Sequence, residues 1–231
     1  SMKWRTQTDG HSDSSSAALG ADGTLYFGIF FQPLIYAINS DGSIKWSNTI
    51  GESGYVAAPA IAADGTIYFK QTEGILRAIS PAGNELWNYP ILGGEGSYGG
   101  PAVGAGGTIF YPANDGAIHA LSPSGELRWR YQPKRVDGSD DSSEIYTSPS
   151  IDADGNLYAA TLNGTVFSIT PSGSVRWIFY TPEPGENVSS SIALGDGKAY
   201  FASYGGYLYA LDQRNGAQIW RSSIEAQARA S

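Results

Sequence analysis

The six tryptophans of this 231-residue chain stand at Trp4, Trp46, Trp87, Trp129, Trp177 and Trp220, spaced by 42, 41, 42, 48 and 43 residues. Chance does not place every tryptophan of a chain at one phase. A period of 40–45 residues means a supersecondary unit used repeatedly, and it is one signature of propeller blades. Each tryptophan after the first closes a related stretch: AINSDGSIKW at 37–46, AISPAGNELW at 78–87, ALSPSGELRW at 120–129, SITPSGSVRW at 168–177 and ALDQRNGAQIW at 210–220.

A second element repeats in step with the first: ADGTLYF at 21–27, ADGTIYF at 63–69, GGTIFYP at 106–112, DGNLYAA at 154–160 and DGKAYFA at 196–202. Together they divide a unit into four strands. In 59–87, PAIAA is a first strand and Asp64-Gly65 turns into TIYFK. The loop 71–74 leads to ILRAIS, and Pro81–Gly83 turns into NELWNY. Glycine supplies the positive φ such turns need and proline presets φ near −65°. Ile67 and Phe69 alternate with Thr66 and Tyr68, a strand period. A helical reading fails because no window holds a 3.6-residue period for three turns without meeting Gly or Pro. A lone four-stranded sheet cannot bury both faces, so the units must stack, with the tryptophans between neighbours.

The expected fold is therefore all-β: a β-propeller of four-stranded antiparallel blades, with five blades as the first expectation. The units span about 14–50, 56–91, 98–133, 146–181 and 188–224. Residues 2–8 form an extra outer strand. That spare strand leaves three arrangements open: a closed five-blade ring carrying it at an edge, an excerpt of a larger ring, or strand exchange with another molecule.

The last unit, Ala210-Leu-Asp212-Gln-Arg-Asn215-Gly216-Ala-Gln-Ile-Trp220, resembles the tryptophan-docking motif of pyrroloquinoline-quinone-type (PQQ-like) propeller repeats, Ala-x-Asp-x-x-Thr-Gly-x-x-x-Trp, with Asn215 at the threonine position. The other units are one residue shorter, with Asn39, Ser80, Ser122 and Thr170 in place of the aspartate. The resemblance covers nearly the whole chain and implies the architecture. For function it implies several things at once: quinoprotein dehydrogenases, an outer-membrane assembly lipoprotein acting as a scaffold, and sensor domains of membrane-bound kinases. The dehydrogenases have eight blades, calcium beside the quinone and often a vicinal disulfide. This chain has five units and no cysteine, and no position matches their catalytic motifs.

Composition narrows the classes further. A formal net charge of −8 repels phosphate backbones, so no nucleic-acid partner is expected. Without cysteine there are no disulfides, thiolate metal sites or cysteine nucleophiles. No apolar run reaches the 18 or so residues of a membrane span. The opening Ser1-Met2 reads as a scar of tag removal, so the expectation is a domain cut from an exported or surface-anchored, bacterial, extracytoplasmic protein.

In a propeller, the connections from the fourth strand to the next first strand share one rim with those between second and third strands. The rim's interblade loops vary and hold Asp9, Asp13, Glu52, Glu95, Asp137, Asp140, Asp141, Glu144, Glu183 and Glu186, ten of the chain's 22 carboxylates, together with His11. Tyr55, Tyr98 and Tyr146 precede first strands, and Phe30, Phe31, Tyr204, Asn114, Asp115 and Asn163 join them. The expansion PKRVDGSDDSSEIY at 133–146 breaks the period and is the best single pointer to a site. Candidate partner-binding residues are Asp13, Tyr55, Tyr98, Asp140, Asp141, Glu144, Tyr146 and Asn187. Aromatic faces suit cations and sugar rings, and carboxylates select partners by charge.

The functional expectation is a non-catalytic binding or scaffolding domain for a protein or peptide, with carbohydrate as a further partner class. The alternative is an enzyme, either a divergent quinoprotein dehydrogenase or a carboxylate-based glycosidase. No cofactor is expected. PQQ belongs only to the alternative reading, and calcium only to the oxygen-rich loop 137–144. His11 and His119 have no second histidine near them, so no histidine metal site is expected.

Overall fold

The computed structural model describes residues 3–8, 16–29, 33–50, 56–71, 73–91, 99–183 and 185–224. They form five four-stranded antiparallel sheets, each a meander in chain order. Blade 1 contains β1 (Ala18–Leu19), β2 (Leu25–Gly28), β3 (Leu34–Ile38) and β4 (Ile44–Thr49). Blade 2 contains β5 (Ala60–Ile61), β6 (Ile67–Gln71), β7 (Ile75–Ile79) and β8 (Glu85–Pro90). Blade 3 contains β9 (Ala102–Val103), β10 (Ile109–Pro112), β11 (Ile118–Leu121) and β12 (Leu127–Tyr131). Blade 4 contains β13 (Ser150–Ile151), β14 (Leu157–Ala160), β15 (Thr165–Ile169) and β16 (Val175–Tyr180). Blade 5 contains β17 (Ala193–Gly195), β18 (Lys198–Ser203), β19 (Tyr207–Asp212) and β20 (Gln218–Ser223). The molecule is a five-bladed β-propeller. The first strand of each blade is only two or three residues long, shorter than the five-residue run PAIAA suggests.

One cross-strand row organises every blade. Tyr26 pairs with Ala37, and Ala37 with Trp46. The same order recurs as Tyr68–Ala78–Trp87, Phe110–Ala120–Trp129, Tyr158–Ser168–Trp177 and Tyr200–Ala210–Trp220. The small middle residue lets two large rings meet above it, with centroids 5.7–6.0 Å apart. A register shift directly after the small residue, present in all five blades, sets the tryptophan opposite it.

Neighbouring blades bury these rows against the alternate face of the next sheet. Tyr26, Ala37 and Trp46 pack on Ile67, Phe69 and Ile79, while Tyr68, Ala78 and Trp87 pack on Ile109, Tyr111 and Leu121. The sequence alternation in TIYFK is thus realised, Ile67 and Phe69 toward blade 1 and Tyr68 toward blade 3. Equivalent clusters join blade 3 to 4 and blade 4 to 5. At the periphery each indole N–H donates across the boundary to a turn carbonyl of the next blade: Trp46 to Pro81, Trp87 to Pro123, Trp129 to Pro171 and Trp177 to Gln213, at 2.8–3.1 Å.

Each of these turns places a glycine under the ring. Gly125 has φ +85°, and a Cβ there would lie 2.8 Å from the Trp87 indole. Gly125→Ala is expected to destabilise by about 1–3 kcal/mol, from strain and loss of the ring contact. Gly106, with nothing within 4 Å of its would-be Cβ, should accept alanine within about 0.5 kcal/mol. Urea unfolding midpoints of the two variants check this.

Residues 3–8 behave differently from the expected extra strand: they enter no ladder. Their hold is through side chains. The Trp4 indole donates to the Ser40 carbonyl at 3.0 Å, its ring lies against Gly42, and the Thr6 hydroxyl donates to the Gly42 carbonyl. This repeats on blade 1 what Trp46 and Asn48 do on the Pro81–Gly83 turn. Ile29, Tyr36 and Ile38 of blade 1 are buried on the face away from blade 2.

Candidate functional site

The expansion at 133–146 folds as a small hairpin of its own. Lys134 and Asp140 form an antiparallel bridge and an ion pair. Arg135 N donates to Ser139 O, and Gly138 N to Arg135 O, both at 2.9 Å. The Asp137 carboxylate takes the backbone N–H and the hydroxyl of Ser139, which fixes the turn. Tyr180, at the end of β16, donates its phenol to the Arg135 carbonyl at 3.2 Å and holds the hairpin against blade 4.

Between this hairpin, the β14–β15 loop and the segment after β16 lies a cleft of about 490 Å³. Arg135, Asn163, Tyr180, Glu183 and Asn187 contribute to its walls, and Asp141 to its floor. It opens on the rim where blade-to-blade loops and second-to-third-strand loops meet, the rim the sequence singles out. Arg135 and Glu183 expose half or more of their side chains, so opposite charges face solvent on its two sides.

The floor is built by a buried carboxylate. The Asp141 side chain has no exposure. Its Oδ2 accepts from the hydroxyls of Thr161 at 2.6 Å and Thr165 at 2.8 Å, and its Oδ1 from Ser143 N, Ser143 Oγ and Asn163 Nδ2. Burial acts to raise its pKa. The hydrogen bonds from Thr161, Ser143 and Thr165 outweigh burial and hold it below the usual carboxylate range. Glu186 repeats the device one blade on: Oε1 accepts from Ser203 Oγ and Tyr209 OH, both at 2.6 Å, beneath the β18–β19 loop. Arg221 stacks 3.5 Å over the Tyr207 ring and lies 3.7 Å from Glu186 Oε2. A carboxylate ahead of a first strand thus anchors the next blade's loop.

The sequence candidates fall into three groups. Asp141 and Asn187 line the cleft. Asp140 is exposed on the hairpin, while Glu144 and Tyr146 are half-buried beside it, Glu144 accepting Leu162 N with its carbonyl. Asp13, Tyr55 and Tyr98 lie outside the described residues, as do Asp9, His11, Phe30, Phe31, Glu52 and Glu95. Tyr180 lines the cleft as well and is missed by the sequence reading. Its signal is present in the sequence: three residues after the tryptophan, the other units carry Thr49, Pro90, Gln132 and Ser223 where this one carries tyrosine.

In loop 137–144, Asp137 turns to Ser139, Asp140 to Lys134 and Asp141 inward to the threonines. Among the described residues no three His, Cys, Asp or Glu side chains converge as a metal site, and no helix is long and apolar enough to cross a membrane. His119 is buried between Asp115 and the Tyr89 phenol at a blade boundary, at 3.0 and 3.1 Å.

A family model described as outer membrane protein assembly factor BamB matches residues 2–170 and 72–231. A comparison with curated protein sequences gives no match. Among solved structures, BamB from Moraxella catarrhalis is similar, with a TM-score of 0.73 at 18% identity over 90% of this chain and 61% of that one. A streptogramin B lyase structure matches with a TM-score of 0.76 at 18% identity, over 96% of this chain and 72% of that one. The quinohemoprotein alcohol dehydrogenase of Comamonas testosteroni matches with a TM-score of 0.75 at 17% identity, over 96% of this chain and 45% of that one. At such identities the likeness is one of fold. The chain spans 61% of the Moraxella protein's length.

Proposed function

We propose, from the premise that this chain belongs to the family described as outer membrane protein assembly factor BamB, that it is a non-catalytic binding domain that takes an extended peptide segment of a partner protein in the rim cleft. The observation that carries this reading is the cleft itself, built where one interblade loop departs from the repeat. Its exposed groups are polar and oppositely charged: Arg135 on one side and Glu183 on the other. Asn163 and Asn187 supply neutral donors and acceptors between them. Such a lining suits main-chain amides flanked by a charged side chain at each end.

The state of the carboxylates supports binding over catalysis. Glu183 is the open carboxylate of the cleft wall, while the neighbouring ones are engaged in holding loops: Asp141 by its threonines and serine, and Glu186 by Ser203 and Tyr209. A glycosidase needs two carboxyl groups across one open site, and binding of this kind requires no cofactor. The family description, naming an outer membrane assembly factor, supports an extracytoplasmic setting and a protein partner over carbohydrate or nucleic acid.

A random 12-mer peptide library displayed on phage and panned against the protein tests the reading. Selected peptides should lose binding at least about tenfold, or 1.4 kcal/mol, in Arg135→Ala/Glu183→Ala, both surface changes. They should keep binding in Asp41→Ala, on the opposite rim. Peptides that bind both variants alike place the site elsewhere. Failure to select any peptide counts against the peptide-binding reading.

A further inference from the structure

Among the described residues, the outer face of blade 5 repeats a face that the other blades pack against a neighbour. Its row Tyr200–Ala210–Trp220 repeats the rows that pack at each of the four preceding boundaries, with a ring spacing of 6.0 Å against 5.7–5.8 Å in the others. Yet Trp220 is 37% exposed where Trp177 is 6% exposed and Trp46, Trp87 and Trp129 are half-buried, and Leu208 is 36% exposed where its counterparts Ile35, Leu76, Ile118 and Val166 are fully buried. Tyr200 and Ala202 are half-exposed where Tyr158 and Ala160 are fully buried. The Trp220 indole N–H has no acceptor among the described residues, although the other five tryptophans each find one. Among the described residues no apolar cluster joins blade 5 to blade 1.

The acceptor that would match Trp220 is present at the other end of the molecule. The Asn39–Gly42 turn of blade 1 offers the Ser40 carbonyl and the open face of Gly42, φ +89°. Trp4 fills it from a segment that has no ladder to hold it, and Trp4 remains 41% exposed. On that side blade 1 presents Leu25, Phe27 and Leu34 half-buried around the buried Ile29, Tyr36 and Ile38, on the face that receives a neighbour's tryptophan row in blades 2 to 5.

We propose that the Trp220 face of blade 5 docks blade 1 of a second copy of this chain, head to tail, with Trp220 entering the Asn39–Gly42 turn in place of Trp4. The argument is continuity with an interface made four times within the molecule, row against row and indole against glycine turn. It concerns a surface remote in the fold from the rim cleft and does not depend on the peptide-binding reading. The contact is heterologous: each copy uses a different face on each side, so it closes into a ring or extends according to the blade-to-blade rotation. Trp4 then acts as an internal competitor. It scales the apparent affinity down to the fraction of molecules in which it leaves the turn free.

Sedimentation velocity and light scattering after gel filtration, over concentrations up to about 1 mM, test this. Trp4→Ala should associate at a concentration at least about tenfold below wild type, since the competitor is gone. Adding Trp220→Ala, or independently Leu208→Lys, should return that variant to monomer. Both residues are exposed, and near-UV circular dichroism checks that each variant is folded. A wild type that is monomeric while Trp4→Ala associates supports the proposal. A monomeric Trp4→Ala at the highest concentration overturns it, as does association that survives both changes on the blade 5 face.

Discussion

Trp177→Ala is expected to lower the unfolding free energy by about 3–5 kcal/mol, the range for truncating a large aromatic in a core. The indole is 6% exposed and meets Tyr158 at 5.8 Å, it donates to Gln213 O at 3.1 Å, and its ring covers Gly216. Removing it opens a void between blades 4 and 5 and leaves a turn carbonyl without its donor. The same change at Trp220, 37% exposed and with no acceptor among the described residues, should cost less than about 1 kcal/mol at concentrations where the protein is monomeric. Trp46, Trp87 and Trp129 are half-buried and should fall between. Guanidinium unfolding of the set, read as midpoints at constant slope, gives the ranking. Equal losses at Trp177 and Trp220 would show that the interblade seat contributes nothing beyond the ring's contacts within its own sheet.

The second large effect belongs to Asp141. Asp141→Ala strands the Thr161 and Thr165 hydroxyls and the Asn163 amide beneath the cleft, and two buried donors without acceptors make about 3–5 kcal/mol a reasonable loss. Asp141→Asn keeps the shape but points an amide N–H₂ at donors on one side, so a smaller loss is expected. The pH dependence has a definite sign. The folded-state pKa is depressed, so the stabilisation is fully present above the ordinary carboxylate value near 4 and is lost as pH falls through the lower folded value. The stability gap between wild type and Asp141→Asn should therefore hold from neutral pH down to about pH 4 and shrink below it. Urea titrations at pH 7, 4 and 2.5 would measure that gap. A gap that does not change across this range would remove the ionised carboxylate from the account.

These two residues mark where the chain is legible from its residues and where it is not. The Trp177 position follows from spacing alone, because a tryptophan every 41–48 residues needs one seat repeated. Blade boundaries, the Pro-x-Gly turns and the alternation of Ile67, Tyr68 and Phe69 follow in the same way, since period and turn chemistry are local. Asp141 is different. In the string DGSDDSSE it is one acidic residue among several, and composition reads them all as solvent-facing. Only the fold shows Asp140 exposed with Lys134 and its neighbour buried under blade 4. Glu186 reads as a rim charge for the same reason, and the fold turns it inward toward Ser203 and Tyr209. The missing information is three-dimensional: which hydroxyls of the next blade stand within reach.

The 3–8 segment carries a related lesson. MKWRTQT has a strand-like composition and the right tryptophan, and its indole reaches the correct turn. It does so without joining a sheet. Tryptophan seating and strand pairing are separable contributions, and sequence similarity to the other units reported only the first.

The way each tryptophan is received bears on how such a molecule arises and diversifies. The acceptor is main chain, a carbonyl and a glycine, and the residue bearing the carbonyl is proline three times, glutamine once and serine once. Nothing in that recognition depends on side-chain identity beyond glycine's missing Cβ. As far as this contact goes, any unit ending in a tryptophan can precede any unit opening such a turn. At this joint, copies can be duplicated, lost or shuffled without a matching change of side chain in the turn, the interblade clusters being the part that must still fit. A six-residue expansion in one connecting loop can then remodel the rim while the joints stay as they were.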